Sequence, residues 1–311
     1  MIMENKRPFS LYDFLGYFAP GALFLYITLF FSKYYDDKLY RHIIDTNFGR
    51  VELFVAFVIF AYVIGHSLNY LSSITIEKYS VWMYGFPSYF LLFGTKKRYF
   101  KKLSFTNEVI DLKINNFDST ENFKINFSIR NKEKSKFRLF FSWFFSCLWR
   151  LILVIILFPI FLFDFIIGRI FKLKLFYTNQ LDIVLSNAIL NKINILFAKL
   201  NIQFLIGTDY FRVISHYYYE NYEKHQLRYD NYVALYGFTR TLAFIFCITT
   251  WLFAYLVFFS NVICLDKSFC YWVLFLLGSI SYIFFMAFMK FYRRYTLVGF
   301  MCLLVDKNNE L

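Results

Sequence analysis

Catalytic signatures are missing from this chain. It has no Gly-rich phosphate loop ending in Lys-Ser/Thr, no His-Glu-x-x-His, no Gly-x-Ser-x-Gly and no Cys-x-x-Cys. Without them, an enzyme would need a site assembled from distant segments, so no catalytic residue, metal or cofactor is expected. The four histidines, His42, His66, His216 and His225, are scattered. His216 and His225 share an expected helix but lie about two and a half turns apart, too far to ligate one ion together. Cysteine is sparse, with five in all. Cys147, Cys247 and Cys302 sit in or beside apolar segments, where a thiol usually behaves as a small core residue. No internal repeat, Gly/Ser linker or low-complexity tail is present, and the lack of inverted repeats argues against a secondary transporter.

Apolar sequence is abundant instead. Hydrophobic residues make up 59% of the chain, with 45 Phe and 26 Tyr, and the mean hydropathy is +0.47. Four runs, residues 14–31, 51–71, 238–259 and 271–289, are each long enough to cross a bilayer. A hydrocarbon core about 30 Å thick takes roughly 20 helical residues. These are membrane spans rather than core helices, and a water-soluble enzyme is nearly excluded. Lys6 and Arg7 precede the first run, and Phe30-Phe31-Ser32-Lys33-Tyr34-Tyr35 after it lacks Ala-x-Ala character. The expectation is a retained anchor, not a cleaved signal peptide.

Basic residues decide the orientation. The chain carries 34 Lys and Arg against 21 Asp and Glu, a formal charge of +13. Residues 32–50 hold four basic side chains (Lys33, Lys38, Arg41, Arg50) beside Asp36, Asp37 and Asp45, whereas residues 72–138 hold thirteen. The Lys/Arg bias places the denser loop on the cytoplasmic side. The reading is therefore a multi-pass membrane protein with both termini cytoplasmic and Asp266 outside.

Residues 139–171 complicate this topology. The segment is apolar enough to span but contains Arg150, Pro159, Asp164 and Arg169. A single complete crossing would put the basic residues of 172–240, and Lys290, Arg293, Arg294 and Lys307, outside. A re-entrant path keeps both groups inside and is preferred, with a fifth crossing as the alternative. Pro159 removes a helical donor and breaks or kinks the helix. The expected fold class is an all-α transmembrane bundle of four spans plus a re-entrant or fifth segment, with a small mixed cytoplasmic portion. Its divisions are a first transmembrane hairpin (1–72), a basic cytoplasmic block (73–138), the re-entrant segment (139–171), a helical cytoplasmic block (172–237) and a second transmembrane hairpin with its tail (238–311). In the basic block, 81–87 reads as interfacial. Residues 109–115 and 122–129 alternate apolar and polar around Asn116-Phe117-Asp118-Ser119, a strand-turn-strand pattern.

Three sets of residues are candidate sites. Tyr62, His66 and Asn69 lie at i, i+4 and i+7 on one face of the second span. Polar groups at such depth turn toward protein or water, so this face either joins helices or lines a pore. Lys96, Lys97, Arg98, Lys101 and Lys102, interleaved with Tyr99 and Phe100, suit anionic lipid headgroups. The other reading of this cluster is a soluble anion such as a nucleotide, with aromatic rings to stack on bases. Cys264 and Cys270 lie in a connection expected outside the cytoplasm, where a disulfide is permitted. Two unpaired thiols at helix ends are the other reading.

Leu11-Tyr12-Asp13-Phe14-Leu15-Gly16-Tyr17-Phe18-Ala19-Pro20-Gly21, Gly65-His66 in the second span and Phe238-Thr239-Arg240 at the third resemble segments of poorly characterised multi-pass bacterial inner-membrane proteins. Some of that kind accompany nucleotide-signalling enzymes in anti-phage defence as channel-like effectors. The resemblance implies a channel-like effector of the bacterial inner membrane, opened by a cytoplasmic nucleotide ligand or partner protein, and because four spans are too few to enclose a generous aqueous path, a homo-oligomer is expected if it conducts. It assigns no ligand or pore residue. A non-conducting sensor or scaffold is the competing expectation.

Overall fold

The structure, a computed structural model, describes residues 13–35, 50–94, 136–171, 178–202, 210–221, 223–259 and 266–305. These are almost wholly helical, and no strand occurs among them. The hairpin expected at 109–129 lies outside the described residues. Four helices are long and apolar enough to cross a membrane, which gives the chain the build of a multi-pass membrane protein.

A π-helical turn, Phe14–Phe18, leads into α1, Ala19–Tyr35. Helix α1 crosses α2, Arg50–Ser72, at two glycines. A Cβ on Gly21 would fall 1.8 Å from the Ala61 carbonyl oxygen, and one on Gly65 would fall 1.8 Å from the Tyr17 carbonyl oxygen. The backbones therefore touch, as small residues allow where apolar burial cannot drive helices together in lipid. The helix does not stop at the expected end of the span. It continues through a second π-helical turn, Ser73–Glu77, into α3, Lys78–Met83, and then into α4, Pro87–Phe93.

Helix α5, Lys136–Ile156, is followed by α6, Phe158–Phe163, and a third π-helical turn, Asp164–Ile170. The two halves of this segment bend by 85°, with Leu157 at φ −95° and ψ 21° and Pro159 in the first turn of α6. Backbone groups left open within a bilayer need partners. Here the Ile156 carbonyl accepts the Trp251 indole N–H at 2.9 Å and the Cys247 thiol at 3.2 Å. Proline thus turns the chain, and side chains of another helix satisfy the broken end.

Those side chains belong to α9, Glu223–Phe259, which follows α7, Ile183–Lys199, and α8, Tyr210–Asn221. Helix α10, Lys267–Val305, packs antiparallel on α9. Phe246 stacks on Phe284 with centroids 5.5 Å apart, Ser281 donates to the Ala243 carbonyl at 3.0 Å, and Tyr229 meets Tyr295 at 4.5 Å. At about 1.5 Å per residue, these helices of 37 and 39 residues are roughly 55 and 58 Å long, nearly twice the hydrocarbon thickness.

Their surplus length forms a helical module with α4, α7 and α8. Phe90, Ile189, Ile193, Leu196, Phe211 and Phe300 are buried there. Leu181 N–H bonds the Leu91 carbonyl and Gln180 bonds the Leu92 carbonyl, each at 2.9 Å, closing the end of α4. Tyr210 donates to the Ser88 carbonyl at 2.6 Å. Burial pushes this phenol well above its ordinary range, so its neutral form is the one the fold holds. That stabilisation is present below pH about 10 and is lost as pH rises beyond it. Tyr210→Phe should remove about 1 kcal/mol at neutral pH by deleting this hydrogen bond and should flatten the alkaline loss. Thermal unfolding in detergent between pH 8 and 11 checks both effects.

Candidate functional site

Charged side chains in an apolar span are costly unless paired, and they mark the places where a membrane protein invests in structure or function. Three such residues, Arg150, Asp164 and Arg240, are 7%, 3% and 6% exposed. They come from α5, the third π-helical turn and α9. All three meet the helical extension of α2, residues 72–84.

Arg240 forms an ion pair with Glu77. Its second terminal nitrogen donates to Asn69 Oδ1 at 2.7 Å, and its Nε donates to Ser72 Oγ at 3.2 Å. Ser72 and Thr241 share a further hydrogen bond at 3.3 Å. The guanidinium thus sits in a set of groups that match its planar fork.

Asp164 occupies a different side of the extension. The Tyr84 hydroxyl lies 2.5 Å from Oδ1 and 2.6 Å from Oδ2, and Tyr79 donates to Oδ2 at 3.3 Å. The guanidinium carbon of Arg150 lies 4.9 Å from the centroid of the Trp82 ring, within cation–π range. Within the segment 81–87, Met83 and Tyr84 are buried and Phe86 is exposed. The arrangement neutralises and positions charge. It pairs no nucleophile with a base, and among the described residues no group of His, Cys, Asp and Glu assembles a metal site.

The polar face of the second span divides. His66 stacks on Tyr17 at 3.6 Å between centroids, and Tyr62 meets the edge of the same imidazole at 4.6 Å. Asn69, less than one turn further, turns to Arg240 on α9. His66 and Ser67 remain exposed on the outer side of α2, next to Tyr70. Lys96, Lys97, Arg98, Lys101 and Lys102 lie outside the described residues, as does Cys264, so the cysteine pairing does too. Cys270 is buried.

Sequence reasoning did not join Glu77 to Arg240 or Tyr79 and Tyr84 to Asp164. The usable signal was a charge inside an apolar run, which calls for an opposite charge or a hydroxyl donor elsewhere. Tyr17 and Gly21 meet the Gly65 and His66 turn, and Arg240 bonds Asn69 one turn beyond. No family model, curated protein or solved structure matches this chain.

Proposed function

We propose that this chain is a channel-like effector of the bacterial inner membrane, oligomeric and controlled by a cytoplasmic ligand or partner. Anti-phage defence is the setting implied by the resemblance. The observation that carries the reading is mechanical continuity. Helices α9 and α10 run unbroken from the apolar segments into the helical module, projecting about 22 and 24 Å past residues 238 and 289 at about 1.5 Å per residue. The Arg240 to Glu77 pair ties α9 to the extension of α2 at that junction. Displacing the module then tilts the spans.

Asp164 and Arg240 find their polar partners within one chain, so a conduit would run between copies, along the outer face of α2 where His66, Ser67 and Tyr70 are exposed. Purified protein in planar bilayers tests this, with His66→Leu alongside and native mass as the control for assembly. Currents from wild type that change in the assembled variant support the conduit. Silence from an assembled, inserted wild type, with or without cyclic or linear oligonucleotides, removes it. The internal pairing of Asp164 and Arg240 favours the second reading, a non-conducting sensor or scaffold, which a silent assembly would leave in front.

A further inference from the structure

A groove of about 800 Å³ opens between α1, α9 and α10, lined by Tyr26, Phe30, Phe246, Phe253, Val273 and Leu277, with Lys33 at its rim. It falls within the range of ligand-sized clefts. All three helices are among those long and apolar enough to span, so the medium outside the groove is hydrocarbon. Water does not fill an apolar recess there, and an empty one forfeits packing contacts.

The shape selects the occupant. From Lys33 down to Tyr26 is seven residues, about 10 Å of helix, against about 15 Å for one leaflet. Deeper along α1, Leu23 and Phe24 pack against the core and do not line the groove. A helix from a second copy needs a seam running through both leaflets. A lipid chain needs only the depth of one, with its headgroup at the level where Lys33 sits. The Lys33 ammonium has three donors, so a phosphate can bond it alongside the contacts it already makes within the chain. We infer that this groove binds a single anionic phospholipid, one acyl chain lying between Phe30, Phe253 and Leu277 and its phosphate on Lys33.

The test is native mass spectrometry of the delipidated full chain, titrated with phosphatidylglycerol or phosphatidylcholine. One saturable adduct is expected, with phosphatidylglycerol preferred about fivefold, the ratio one basic residue contributes at an anionic surface. Lys33→Gln should retain an adduct and lose the preference. Val273→Trp, which fills the groove, should lose the adduct with helical content unchanged, and Leu277→Phe, a smaller change, serves where that variant does not insert. An adduct that survives both groove-filling changes would overturn the proposal. So would a dimer that those changes dissolve, since a second copy would then be the occupant.

Discussion

Glu77→Leu is expected to be the most damaging single substitution in the polar centre, at about 3 kcal/mol or more. Removing one member of a buried ion pair leaves the other charge in an apolar setting, for which losses of about 3–5 kcal/mol are typical. The lower end applies because the Glu77 side chain is 28% exposed, against 8% for Arg240. The asymmetry also orders the variants. Arg240→Leu leaves the wetter partner behind and should cost less, although it strips Asn69 and Ser72 of a donor. The double variant Glu77→Leu with Arg240→Leu should recover most of the loss, because it removes both charges and keeps apolar volume. Unfolding in mixed micelles, read as a double-mutant cycle, gives the coupling directly. Additive losses from the two single changes would show that the pair carries no interaction energy.

The spans were legible because their signal is compositional. A run of about 20 apolar residues has few alternatives once no charge interrupts it, and the four runs correspond to the four long apolar helices. The break at Pro159 was legible for a local reason, the missing N–H of proline. What completes that break was not, because Trp251 and Cys247 lie more than 90 residues away in sequence. The continuation of α2 past residue 71 follows the same rule. Ser72 and Glu77 look like the polar end of a span, but they extend the helix because Arg240, 163 residues beyond Glu77, supplies the charge that Glu77 needs. Helical spacing set Tyr62, His66 and Asn69 on one side of α2. Spacing alone could not assign that side two neighbours, α1 for His66 and α9 for Asn69, since this depends on how three helices meet.

The closeness of α1 and α2 yields the other large effect. Gly65→Leu puts a Cβ where the Tyr17 carbonyl oxygen lies 1.8 Å away, well inside any permitted contact, and the atom it meets is backbone. The helices must separate by more than an ångström, with loss of the Tyr17 to His66 stack at 3.6 Å. Overpacking alone costs about 1–3 kcal/mol, and the lost interhelical contact adds to it. Gly21→Leu meets the Ala61 carbonyl at the same 1.8 Å and should match it in size, because both report one crossing. Gly237 provides the contrast. It lies inside α9, and a Cβ there meets nothing within 4 Å, so Gly237→Ala should leave stability unchanged or raise it by up to about 1 kcal/mol through helix propensity. Thermal retention of monodisperse protein in one detergent compares all three. A Gly65→Leu chain as stable as wild type would mean that α1 and α2 do not cross at these glycines, and the stacked Tyr17 and His66 would then lose their place in the polar face of α2.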